Sequence, residues 1–333
     1  MSEKLRIGVV GAGAVAQVAH LAAISKLEDA ELVAICDIDV PKAQALARRF
    51  KVPDVYDDIE DLLRLSQPDA VVICTPSLLH EVHTVTALSA GAHVLCERPL
   101  ALDAGGVERV KEVYDSGDRI LLVGMNHRYR RDVRTIRDFM KGGELGDVHA
   151  IRAGWYIHRP SGLVAGWRER PAESGGGVMF DLGLPLVDVS LWIAGLPKVE
   201  RVSASFTQFV EPVEDSASAF IHCEGGLSIF VDVSWRHIGP KEKVWFEVMG
   251  SQGSARIGRL GVYKEMHGQV VDVTPARVDP FDAYTESYRA EWQAFQRRIR
   301  GDANRPGLEN QLRLHQLMDT IGRSANEGRE LAL

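Results

Sequence analysis

The sequence predicts an α/β chain of two domains: a doubly wound parallel-sheet domain, then an α+β domain with a large open mixed or antiparallel sheet. Three observations carry this. Short apolar runs alternate with helical patterns over the first 125 residues, as in a parallel sheet with helices on both faces. After Asn126 the runs lengthen and turns such as EGG and GSQG separate several of them, which is the texture of hairpin-connected strands. The length of 333 residues allows each domain its own core. The predicted boundaries are 1–125 and 126–333.

Taken in order, the strands of the first domain are LRIGVV, ELVAIC, a weak one at Val55 and Tyr56, AVVIC, HVLC and RILLV. A helical segment ending near KGGELGD leads into β-rich runs at 148–158, 199–210, 216–223, 227–236 and 243–249. One helix, about 178–194, interrupts them after the glycines 175–177, and amphipathic helices at about 284–300 and 308–327 close the chain.

GAGAVA at 11–16 lies between the first strand and its helix, giving the GxGxxA form of the dinucleotide fingerprint. Gly11 permits the tight turn, Gly13 lets backbone approach a pyrophosphate, and Ala16 lets helix pack on strand, while Ala14 and Val15 present amides at the helix N-terminus. The second strand ends at Asp37, 21 residues beyond Ala16, close to the spacing of roughly 20 expected for a ribose-binding carboxylate. The first domain is therefore expected to be a Rossmann dinucleotide-binding domain. Asp37 repels a 2′-phosphate and Ile38 offers no arginine to hold one, so NAD is favoured over NADP; Lys42 and Arg48 are the cations that oppose this.

Composition excludes several functions. The net charge of −7 argues against a nucleic-acid partner, and the basic stretch 127–141 reads as a solvated helix face with Arg128 as the exception. No run approaching about 18 apolar residues is evident, and no signal-peptide core precedes the first strand; no membrane partner and a cytoplasmic location are expected. The cysteines Cys36, Cys74, Cys96 and Cys223 form no CxxC pair and read as core residues in a reducing compartment. His80 and His83 have no third ligand nearby in sequence, so no metal is expected.

The ordered motifs GAGAVA, CTPSLLHEVHTVTALSAGAHVLCERPLAL (74–102), LVGMNHRY (122–129) and WRERPAESGGGVMFDLGLPLVDVSLWIAGLP (167–197) resemble the glucose–fructose oxidoreductase, inositol dehydrogenase and rhizopine catabolism (Gfo/Idh/MocA) family over nearly the full length. The resemblance implies NAD(P)-dependent redox chemistry on sugars, cyclitols or their relatives, and a second domain whose open sheet is often used to form homodimers or homotetramers. It also implies cofactor-lining roles for Thr75, Pro76, His80, Glu97 and Asn126 at strand ends, and for Trp167 and Arg168 in the second domain.

Two departures stand out. Where the family carries a lysine in EKP and a DxxxH pair, this chain has Glu97-Arg98-Pro99 and Asp181 followed by Pro185. Arginine stays charged and proline has no proton to move, so the usual relay is missing. Arg98 can instead hold a planar anion bidentately or orient a carbonyl or hydroxyl, which brings carboxylated polyols into the expected substrate range. Asp181 and His158, the latter in YIHRPSG beside Tyr156, are the candidate proton carriers. Asp188 reads as structural and Trp192 as core. Two alternatives stay open: a catalytically degenerate paralogue serving as sensor or inert subunit, or a lyase, epimerase or glycosidase that keeps NAD bound.

Overall fold

Each apolar run of the first domain forms a parallel strand. In the computed structural model, which describes residues 4–159, 166–209, 212–275 and 283–333, these are β1 Leu5–Val10, β2 Ala30–Cys36, β3 Asp54–Tyr56, β4 Ala70–Ile73, β5 His93–Glu97 and β6 Leu121–Gly124. They pair in the order β3-β2-β1-β4-β5-β6, all parallel. Strand order reverses between β1 and β4, the switch point outside whose carboxyl ends such sheets place ligands. All four cysteines are buried and free.

The second sheet has nine strands among the described residues, in the order β14-β13-β12-β11-β7-β10-β9-β8-β15. They are β7 Val148–Tyr156, β8 Val199–Thr207, β9 Ser216–Cys223, β10 Ser228–Ser234, β11 Lys243–Gly250, β12 Gly253–Ile257, β13 Gly261–Met266, β14 Gln269–Asp272 and β15 Leu331–Ala332. The sheet is mixed, because β7 and β10 run parallel while every other pair is antiparallel. Ile151, Ala153, Ile229, Val231, Ala219, Ile221, Phe246 and Val248 are buried at alternate positions, so one face is core and the other open.

Two expectations are corrected. Residues 126–333 do not form one continuous domain: the compact units are Met1–Asn126 with Tyr284–Leu312, and His127–Ala283 with Arg313–Leu333. The reason is the apolar face of the Ala283–Ile299 helix, whose Tyr288, Trp292 and Phe295 join the cluster around Ile7, Ala16, Leu21 and Ile35. An apolar run of membrane-spanning length also exists, the helical stretch Pro171–Ile193. Asp181 and Asp188 break it up in sequence, and it is mostly buried in the second unit.

Phe295 is fully buried in that cluster. Phe295→Ala is expected to destabilise the first unit by about 3–5 kcal/mol, measured as a lower denaturation midpoint.

Candidate active site

The glycine turn is built by close backbone packing. Gly11 has φ +93°, and a Cβ there would lie 2.7 Å from the backbone of Cys74 and Thr75, so only glycine allows β1 and β4 to end side by side. At Gly13 the nearest atom to an added Cβ is Cys74 O, 3.8 Å away, which leaves the backbone there open to a ligand. Ala16 is fully buried, and Ala14 is exposed at the helix start. This cradle fits a dinucleotide pyrophosphate.

Asp37 closes the turn from the side. One carboxylate oxygen accepts the Ala12 amide at 2.6 Å and the other accepts the Asp39 amide at 2.9 Å. The Lys42 ammonium lies 3.1 Å from the same carboxylate. Ile38 is 92% exposed, its side chain directed at solvent.

At the ends of β4 and β5, His80 is a clamp. Its two ring nitrogens face the carbonyl oxygens of Thr75 (2.8 Å) and Pro99 (2.6 Å), tying the loop after β4 to the loop after β5. Burial pushes the His80 imidazole below its ordinary range, and the two carbonyls offset only part of that. Thr75 Oγ1 pairs with His83 Nδ1 at 3.2 Å, Pro76 is half-buried beside them, and Asn126 donates to Ser287 Oγ at 3.1 Å.

Glu97 is the most elaborately held side chain. Its Oε1 lies 2.8 Å from His20 Nε2, while His20 Nδ1 accepts the indole N–H of Trp292 at 3.0 Å. Indole only donates, so the His20 proton sits on Nε2 and is given to Glu97. Glu97 Oε2 accepts the Arg98 amide at 3.3 Å. Burial pushes the Glu97 carboxyl up, but the His20 hydrogen bond and nearby positive charge, Arg98 included, outweigh it and hold the group below the usual carboxylate range. Arg98 itself is half-buried.

The remaining candidates belong to the second unit. Trp167, Arg168 and Glu169 form a 3₁₀ turn; the Arg168 guanidinium lies over the Trp167 ring at 4.4 Å and its Nε donates to Asp181 at 3.3 Å. The Trp235 indole donates to the other Asp181 oxygen at 3.2 Å. Asp181 lies in a π turn, Met179–Gly183, which leads directly into the Leu184–Ile193 helix. Buried Pro185 cannot return an N–H to the preceding turn, and the widened π turn sits where that bond is lost. His158 is exposed and makes an isolated backbone bridge with Arg236; residues 160–165, which include Pro160 to Gly162 of the YIHRPSG motif, lie outside the described residues.

Asp188 is structural: it is buried and accepts both Nε (2.7 Å) and Nη2 (2.5 Å) of Arg128. Burial alone would push the Arg128 guanidinium down, yet Asp188 holds it above its ordinary range. Trp192 is half-buried, with the Arg137 guanidinium 3.6 Å from its ring centre. Sequence reasoning missed His20, Tyr288 and Trp292, whose rings pack together beside Glu97. A histidine in the first helix and a tryptophan 272 positions later carry no local signal of their pairing.

Residues 5–125 match the model of the oxidoreductase family with an NAD-binding Rossmann fold, and residues 133–256 match the GFO/IDH/MocA C-terminal domain. The chain belongs to the GFO/IDH/MocA family. This member of the family is an oxidoreductase with an NAD-binding Rossmann domain. It is 29% identical over 311 residues to D-glucoside 3-dehydrogenase of Escherichia coli strain K12, covering 87% of each chain. It is 27% identical over 256 residues to myo-inositol 2-dehydrogenase of Thermotoga maritima, covering 75% of this chain and 74% of the relative. In fold it is similar to GenD2 from gentamicin A biosynthesis, solved in complex with NAD, at a TM-score of 0.87 and 24% identity, covering 100% of this chain and 97% of the other.

Replacing Asp188 with Ala strands the Arg128 charge in the interior and is expected to cost about 3–5 kcal/mol, measured by denaturant unfolding. Gly11→Ala is expected to abolish dinucleotide binding while leaving most secondary structure, checked by titration and circular dichroism.

Proposed function

We propose that this oxidoreductase uses NAD to move a hydride to or from a sugar, cyclitol or sugar-acid-like substrate. The observation that carries the reading is the Gly11 turn, packed against the end of β4 with Asp37 beside it. Gly13, Ala14, Val15 and Ala16 would hold the pyrophosphate through backbone amides, and Thr75, Pro76, His80, Glu97 and Asn126 would line the nicotinamide end. When bound, NAD supplies the hydride acceptor. The names of its relatives, a glucoside and an inositol dehydrogenase, support the polyol class.

NAD is favoured over NADP because the Asp37 carboxylate stands at the end of β2, where the ribose hydroxyls are read. Lys42, the cation that would hold a 2′-phosphate, is already engaged by Asp37. Arg98 keeps a fixed charge and a planar fork of donors for a carboxylate, carbonyl or hydroxyl. Asp181, braced by Arg168 and Trp235, binds substrate hydroxyls, with Trp167 and Arg168 beside it; exposed His158 is the other candidate proton carrier of the second unit.

The open face of the nine-stranded sheet supports self-association into a homodimer or homotetramer. On it the Trp245 ring crosses Gly154, Tyr156 meets that ring edge-on at 4.7 Å, and Phe220 is 38% exposed.

Calorimetric titration is expected to show micromolar NADH binding and at least tenfold weaker NADPH, with Asp37→Ala narrowing the gap; tighter NADPH binding would reverse the assignment. Light scattering is expected to give a dimer or tetramer mass that Phe220→Lys shifts toward monomer. Turnover of polyols or sugar acids with NADH formation would support the redox reading, and turnover without net NADH would favour a lyase or epimerase.

A further inference from the structure

The Ala283–Ile299 helix reaches two neighbouring strand ends of the first unit, each with one polar side chain. β5 and β6 pair so that Glu97 lies beside Gly124, two residues before Asn126. At the end of β5 the Trp292 indole donates to His20 Nδ1 at 3.0 Å, and His20 Nε2 lies 2.8 Å from Glu97 Oε1. Just beyond β6, Asn126 Nδ2 donates to Ser287 Oγ at 3.1 Å.

Each contact also fixes which atom donates. Indole has no acceptor, so His20 carries its proton on Nε2 and gives it to Glu97. Ser287 Oγ lies 2.6 Å from the carbonyl oxygen of Tyr284, which can only accept, so the hydroxyl places its proton there. Ser287 is left as an acceptor, and Asn126 must present its amide nitrogen to it. A histidine has two tautomers and an asparagine two amide orientations of similar shape; the helix removes the choice at both strand ends. His20, Trp292, Ser287 and Asn126 are all buried, and Tyr288 closes the other side of the His20 ring edge-on at 5.1 Å.

We propose that Trp292, His20 and Ser287 are positioning residues for the nicotinamide: one helix holds Glu97 and Asn126 in the single arrangement of donors and acceptors that receives the ring end of the cofactor. The proposal rests on the reading of these strand ends as the nicotinamide end. The three side chains act through Glu97 and Asn126 and need no contact with the cofactor themselves. Glu97 has one oxygen on His20 and the other on the Arg98 amide at 3.3 Å, so the chain of hydrogen bonds continues into the backbone of Arg98. The ribose acid Asp37 is held separately, by the Ala12 and Asp39 amides and by Lys42. Loss of a helix contact is therefore felt at the nicotinamide end and not at the adenosine end.

The test compares NAD+ with ADP-ribose, which lacks only the nicotinamide ring, in calorimetric titrations of the full chain. The unaltered protein is expected to bind NAD+ more tightly. Ser287→Ala and Trp292→Phe are each expected to weaken NAD+ binding by about three- to tenfold, the size of one lost hydrogen bond, while ADP-ribose stays within about twofold. His20→Leu is expected to lose the preference in the same way, and His20→Gln, whose amide supplies both a donor and an acceptor, to keep most of it. Equal losses for the two ligands, or no loss for either, would show that these contacts only pack the core and would overturn the proposal. Equal binding of NAD+ and ADP-ribose by the unaltered protein overturns it as well. Should Trp292→Phe fail to fold, Ser287→Ala, which removes a single oxygen, decides alone. Binding of neither ligand by the unaltered protein removes the cofactor reading and the proposal with it, a result distinct from a preference that the variants leave untouched.

Discussion

The contact between the Gly11 turn and the backbone of Cys74 and Thr75 is the constraint on which the first unit depends. Strand order reverses there, and the two chain segments approach more closely than any side chain permits. Asp37, accepting the Ala12 amide, belongs to the same construction. One carboxylate thereby ties the turn after β1 to the turn after β2. Any change that separates β1 from β4 disturbs both turns together.

A second constraint is the return of the Ala283–Ile299 helix to this sheet. Its aromatic face completes the hydrophobic cluster, and the same face brings Trp292 to His20, which fixes the tautomer that donates to Glu97. Packing and electrostatics are coupled here through one side chain. The indole contributes buried area and, by being a pure donor, dictates where the histidine proton resides. The order in which Glu97, Arg98 and Pro99 are held follows: Glu97 by His20, Arg98 through its amide, Pro99 through His80.

Backbone chemistry also shapes the second unit. Buried Pro185 has no N–H to return to the preceding turn, and the helix meets the lost hydrogen bond with a π turn that contains Asp181. Asp181 is in turn ion-paired with Arg168 and bonded to Trp235. A carboxylate so engaged is suited to orienting hydroxyl groups.

The sequence by itself determined the sheet of the first unit, including the three-residue strand at Val55 and Tyr56, because parallel strands buried on both faces read as apolar runs with helical periods between them. It also determined the fingerprint and the presence of Asp37, since glycine spacing and acid position are local. Short strands escaped: β12 to β14 have four to six residues and begin at or beside glycines, and β15 has only two, too few to mark by composition. Arg128 was legible as an exception on a basic helix, but its partner Asp188 lay 60 positions away. Only the tertiary structure decided which unit the last helices join, and that His20, Trp292 and Glu97 assemble at one strand end. Periodicity reports that a helix has an apolar face; it says nothing of which core that face will complete. Contacts between residues hundreds of positions apart are set by packing, and no local pattern encodes them.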